Sequence, residues 1–159
     1  MDLSSAGDKD DRAKYDLLDA DDLQAWTAVL VLHRQVLGHL EEALRRTHGL
    51  AVKEFDLLLT LYNVPERRLG MSSLASRVVL SAPGVAHMVT RLQAAGLLRR
   101  EADPDDGRKG YAVLTGAGED VLRAARMTHN EVLRQEFLAL TTRSERQVLR
   151  QVGRRLSPP

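Results

Sequence analysis

The sequence predicts a mainly α-helical fold with a small β-hairpin wing: a winged helix-turn-helix lobe flanked by a helical dimerisation region. Three observations predict it. A heptad-spaced apolar run extends from position 23 to 44, two short helices are broken by a brief turn ending at Ser81, and a turn-rich loop at 103–110 joins two β-prone runs. The 159 residues are 43% hydrophobic and 28% charged, the range of a soluble globular protomer of ordinary size.

The elements follow in order. Residues 1–20 read as an acidic flexible arm, polar and without periodicity. Within 1–22 eight aspartates face Lys9, Arg12 and Lys14, a balance of −5 that leaves the rest of the chain at +6 within a total of +1. That asymmetry suits a basic binding surface. Residues 21–50 form an N-terminal dimerisation helix: Leu23, Trp26, Leu30, His33, Leu37, Leu40 and Leu44 step alternately by three and four, with Asp21 or Asp22 as N-cap and Gly49 as the stop.

The winged lobe is expected over 51–115. Its first helix, 52–61, turns Phe55, Leu58, Leu59 and Tyr62 to one face and ends at Pro65. The next follows the Gly70-Met71-Ser72 turn and carries Leu74, Ala75 and Val78 inward. Another opens at Ser81, whose hydroxyl can cap the exposed N–H groups, tolerates Pro83 in its first turn and runs to Gly96. Two strands, 97–101 and 111–115, then make the hairpin. Residues 116–159 form C-terminal dimerisation helices, through Val121, Leu122, Ala125, His129, Val132 and Leu133, and then 143–156, capped by Thr142 with Glu145 in the capping-box position.

Several classes of function are excluded by composition. Without cysteine there is no disulfide, thiolate metal site, cysteine nucleophile or thiol redox sensor. No apolar run approaches a membrane span, and Met1-Asp2-Leu3-Ser4-Ser5 does not read as the start of a secretory signal, so a cytoplasmic location is expected. The five histidines are scattered, and neither a His-Glu-x-x-His pattern nor a phosphate-binding glycine loop is present, so no enzyme activity and no cofactor are expected. A metal-responsive alternative rests on His33 and His129, whose helices could approach in a dimer.

Two short helices separated by three or four residues, the second opening at a capping serine, can set a helix N-terminus at the floor of a major groove. The hairpin then brings Arg108 and Lys109 to the backbone or the narrow minor groove, where cations are favoured. Three stretches resemble the MarR family: Met71-Ser72-Ser73-Leu74-Ala75, Leu80-Ser81-Ala82-Pro83-Gly84-Val85 with Arg91-Leu92 and Gly96-Leu97-Leu98-Arg99-Arg100, and Asp103-Pro104-Asp105-Asp106-Gly107-Arg108 with Leu114-Thr115.

That resemblance implies a homodimeric transcription regulator, in most cases a repressor, on a pseudo-palindromic double-stranded DNA operator. It implies that Arg108 enters the minor groove, held by Asp106, and that Ala82, Pro83, Gly84, Ala86 and His87 face bases. Small apolar residues at these positions favour thymine-methyl contact and groove shape, with His87 as the best polar reader. Arg77, Arg91, Arg99 and Arg100 are candidate phosphate contacts. The family also implies a small anionic or aromatic effector between the dimerisation helices and the winged lobe. Trp26 and Asp56 match a urate-responsive subset there, although His87-Met88 does not supply that subset's arginine. A winged helix used only for protein contacts, and burial of Trp26 in the dimer seam, are the competing readings.

Overall fold

The computed structural model describes residues 18–78, 81–103 and 110–156, and the chain divides into two compact units, 1–35 and 36–159. The first unit, described from residue 18, holds the opening turns of helix α1 (Ala20–His48). Asp19 accepts the N–H of Asp22 at 2.8 Å, so the cap is Asp19 and not Asp21 or Asp22. Those two occupy the first turn, where carboxylates suit the positive end of the helix dipole. Leu23, Trp26, Val29, Leu30 and Val31 are exposed on this part of α1.

The second unit begins within α1, where Leu40, Ala43 and Leu44 are buried. Gly49 ends the helix at φ +67°, a left-handed conformation costly for any residue with a Cβ, and Leu50 N–H bonds back to Leu44 carbonyl. Helix α2 (Val52–Tyr62) buries Glu54, Phe55, Leu57, Leu58 and Leu61. Leu57 and Leu61 were not on the expected apolar face, whereas Leu59 and Tyr62 are only partly buried. The helix closes before Pro65, with Asn63 N–H bonded to Leu59 carbonyl.

A 3₁₀ turn (Pro65–Arg67) leads into strand β1 (Arg68–Gly70). Glu66 and Arg67 both have positive φ, which costs about 1–2 kcal/mol per residue. Arg67 offsets part of this by pairing with Glu119 and lying over the Tyr62 ring, 4.8 Å from its centroid. Helices α3 (Met71–Arg77) and α4 (Ala82–Ala94) come next, then strands β2 (Leu98–Ala102) and β3 (Gly110–Leu114). The sheet is antiparallel in the order β1-β3-β2, with Leu69 opposite Ala112 and Arg100 opposite the same residue from the other side. The expected two-stranded wing is therefore part of a three-stranded sheet, and its strands lie one residue from their expected bounds.

Helix α5 (Gly116–Leu133) starts at Thr115, whose hydroxyl accepts the Gly118 N–H at 3.0 Å. It passes into a π-helical turn (Arg134–Leu138) that the sequence did not announce. Helix α6 (Arg143–Leu156) has the expected capping box, Thr142 N–H to Glu145 at 2.7 Å and Glu145 N–H to Thr142 hydroxyl at 3.3 Å. It buries none of its residues, leaving Val148, Leu149, Val152 and Leu156 exposed.

One core joins Leu44, Phe55, Leu58, Leu74, Val85, Val89, Leu92, Leu98, Leu114 and Leu122, so the hydrophobic effect packs the winged lobe against α1 and α5 within the second unit. The tightest approach is at Gly118. A Cβ there would lie 2.7 Å from the Leu114 side chain and closer still to the Leu97 carbonyl oxygen, whereas one on Gly116 would meet nothing within 4 Å. Gly118→Ala should therefore lower the thermal midpoint by an overpacking cost of about 1–3 kcal/mol or more. Gly116→Ala should leave the midpoint unchanged or raise it by up to about 1 kcal/mol in stability. Thermal melts of the two variants side by side check this, and equal effects would contradict the close approach.

Candidate nucleic-acid interface

Helix α4 is positioned by an apolar stripe and a cap. Val85, Val89 and Leu92, spaced four and three residues apart, are buried, which leaves the opposite face to solvent. Ser81 sits in extended backbone and its hydroxyl accepts the Gly84 N–H at 3.3 Å. Ser81, Ala82, Pro83 and His87 are exposed, with Gly84 and Ala86 half-buried beside them. The first two turns of α4 are thus a low-relief surface at the positive end of the helix. Such a surface can approach an anionic backbone or the floor of a groove. Arg77 is exposed at the end of α3, four residues before Ser81. Asp106, Arg108 and Lys109 lie outside the described residues.

The arginines nearest α4 are engaged within the protein. Arg91, in its last turn, forms a two-pronged ion pair with Glu54, Nε to Oε1 and Nη2 to Oε2. Nη2 also donates to the Gly49 carbonyl at 3.3 Å. The Glu54 side chain is only 6% exposed and Arg91 48%. The fork holds the Arg91 guanidinium above its ordinary pKa, so it stays charged. Glu54 accepts the Ala51 N–H as well, at 2.8 Å. On the other flank Arg100 reaches from β2 to α4, donating from Nη2 to the Ala86 carbonyl and the Thr90 hydroxyl, both at 3.1 Å. Arg99 pairs with Glu101 at 2.7 Å.

Beside α4 lies a cleft of about 660 Å³, walled by Leu37, Gly38, Glu41 and Arg45 of α1, by Ala51 to Glu54 at the start of α2, and by Gly84, His87, Met88 and Arg91. Its walls combine apolar side chains such as Leu37, Val52 and Met88 with the charged Glu41, Arg45, Lys53, Glu54 and Arg91. Burial pushes the Glu41 carboxyl upward, but the Val52 N–H at 2.7 Å and the paired Arg45 outweigh that and hold it below its ordinary value. The cleft lies between the long first helix and the winged lobe, and Glu41, Arg45, Lys53 and Glu54 among its walls are residues that the sequence did not single out. Glu54 standing three residues after Ala51 was the available signal, half of a capping box whose first residue has no acceptor.

The sequence assigns two residues to an effector site. Neither Trp26 nor Asp56 is among the cleft's walls. Trp26 is 57% exposed on the first-unit part of α1. Asp56 lies at the surface of α2, where desolvation raises its carboxyl pKa and the charge of His129 opposes that rise. His129 itself stacks on Phe55 with ring centroids 4.8 Å apart. No group of three or more potential metal ligands occurs among the described residues.

With this geometry in hand, the comparisons with known proteins are specific. A model described as the MarR family matches residues 48–109. A MarR-family regulator of Streptomyces coelicolor, solved in complex with DNA, shares 30% identity and a TM-score of 0.82, over 87% of this chain and 86% of that one. An HTH-type transcriptional regulator of Mycobacterium bovis is 31% identical over 63% of this chain and 68% of its own length. YkoM, an HTH-type transcriptional regulator of Bacillus subtilis, is 30% identical over 65% of this chain. The match spans 66% of YkoM, just under two thirds.

Because Glu41 titrates below its ordinary value of 4.5 in the folded chain, its contribution to stability is present above that value and is lost as pH falls through the lowered one. Glu41→Gln should be less stable than the parent at pH 7, and the gap should close in the acid range below about pH 4. Urea denaturation across pH 3 to 7 checks this, and a gap independent of pH would contradict the assignment.

Proposed function

The chain belongs to the MarR family of transcriptional regulators, and we propose that it binds DNA as a homodimer on a pseudo-palindromic operator, acts as a repressor in the cytoplasm, and is released by a small aromatic or phenolic acid. The observation that carries the reading is α4, whose capped first turns present Ser81, Ala82, Pro83 and His87 to solvent beside a β2–β3 hairpin. A relative of the same fold is bound to DNA in its own structure. Among the described residues no helix is long and apolar enough to cross a membrane.

Dimerisation supplies the second α4 that a two-fold operator requires, at a spacing of about 34 Å. The apolar residues left exposed on α1 and α6, Leu23, Trp26, Leu30, Val148, Val152 and Leu156 among them, support it. In the groove Ala82, Pro83 and Gly84 favour thymine methyl groups, His87 reads a base edge, and Arg77 meets phosphate. Arg108, steadied by Asp106 and flanked by Lys109, is assigned to the minor groove on the sequence pattern. For the effector, Trp26 and Asp56 are the candidates that the sequence offers, and the cleft beside α4 is a further one. Its volume suits a small ligand, Leu37, Val52 and Met88 can flank an aromatic ring, and Lys53 and His87 are placed for an acid group.

The test is selection of duplexes from a random pool, followed by sedimentation of the protein alone and on the selected duplex. An inverted repeat bound by two protomers of 17.7 kDa is expected. His87→Ala should relax one base position per half-site by about 1–3 kcal/mol. Arg108→Ala should lower the salt slope by about 0.9 for each phosphate that is no longer neutralised. A stable folded monomer at micromolar concentration would remove the dimer, and a failure to enrich any duplex would favour a winged helix serving protein contacts instead.

A further inference from the structure

Two arginines, Arg91 in α4 itself and Arg100 on β2, give α4 something that its apolar stripe cannot. Burial of Val85, Val89 and Leu92 selects which face of the helix turns inward, but hydrophobic contact is non-directional and tolerates small shifts of tilt and of position along the axis. Readout of base edges does not tolerate them. Directional bonds to α4 come from two places. At its C-terminal end Arg91 is held by both oxygens of Glu54 and by the Gly49 carbonyl. At its middle the Ala86 carbonyl and Thr90 hydroxyl receive Arg100 from β2. Glu54 is in turn anchored by the Ala51 N–H and is almost wholly removed from water.

The geometry points to Glu54 as a specificity-determining positioning residue: it sets the tilt of α4 through Arg91, and Arg91 serves this fork and not a DNA phosphate. The assignment rests on the DNA-binding reading above. Guanidinium suits the role because a planar fork engaging both carboxylate oxygens fixes orientation as well as distance, which a lysine ammonium cannot do. The charge of Arg91 is already matched by Glu54, so it releases little counterion on meeting DNA. A phosphate contact has the opposite signature.

The experiment uses the full chain and the duplex that the parent selects, against a scrambled duplex, over a series of salt concentrations. Glu54→Gln and Arg91→Lys should each lower discrimination between the two duplexes by about tenfold or more while leaving affinity for the scrambled duplex and its salt slope unchanged. The double variant should lose no more than the worse single one, because both remove the same fork. Thermal melts establish folding. Should Glu54→Gln fail to fold, Arg91→Lys, which alters the other half of the same fork, carries the same comparison. Discrimination within about twofold of the parent in the folded variants overturns the assignment. So does an Arg91→Ala variant whose salt slope falls by about one per protomer while Arg91→Lys behaves as the parent, the mark of a phosphate contact. If the parent enriches no duplex, the DNA-binding reading fails and takes this assignment with it; enrichment with undiminished discrimination overturns the assignment alone.

Discussion

A carboxylate removed from water must be matched by donors, and the folded chain places one such group, Glu54, where three elements meet. Both oxygens are used, by the Arg91 fork and the Ala51 N–H. Breaking a fully buried pair by removing one partner costs about 3–5 kcal/mol, and less here because Arg91 keeps half of its surface in water. Satisfying Glu54 therefore brings the end of α4 against the start of α2, and through the Gly49 carbonyl against the end of α1. The apolar core supplies most of the stabilisation of the lobe, but it is this polar joint that makes the arrangement directional.

The same logic extends to the sheet. Arg99 and Arg68 both reach Glu101, Arg68 lies 3.7 Å above the Tyr111 ring, and Arg67 pairs with Glu119. Ion pairs at the surface each contribute only about 0–1 kcal/mol, so their combined effect on stability is modest. Their effect on direction is larger. Among the described arginines of the winged lobe, Arg67, Arg68, Arg91 and Arg99 pair with carboxylates of the same chain, and Arg100 donates to the Ala86 carbonyl and the Thr90 hydroxyl.

The fold was legible wherever it rests on local chemistry. The α1 heptad spacing, the Gly49 and Gly96 stops, the Ser81 cap and the Thr142–Glu145 box each depend on residues within a turn or two of one another, and each appears in the structure. Strand β1 was not legible, because Arg68-Leu69-Gly70 has a single apolar residue and becomes a strand only when β3 lies beside it. The π-helical turn after α5 likewise has no local signature. The site was half legible. The exposed face of α4 follows from its cap and stripe, but the partner of Arg91 lies 37 residues away, and no periodicity marks a glutamate in a first turn as facing inward. The cleft lies in the region where the resemblance implies an effector, but the identity of its walls depends on that same long-range meeting, which no local pattern marks.

The α1–α2 junction has a consequence for motion. The Ala51 and Val52 N–H groups, which a helix start leaves without backbone partners, bond to the side chains of Glu54 and Glu41, and each of those carboxylates is also clasped by an arginine, one from α4 and one from α1. Fraying of the first turn of α2 would strand both carboxylates, and withdrawal of Arg91 would loosen the bond to Ala51. The end of α1, the start of α2 and the last turn of α4 therefore open as one cooperative unit, and the slowest amide exchange at the junction reports the free energy of releasing all three together.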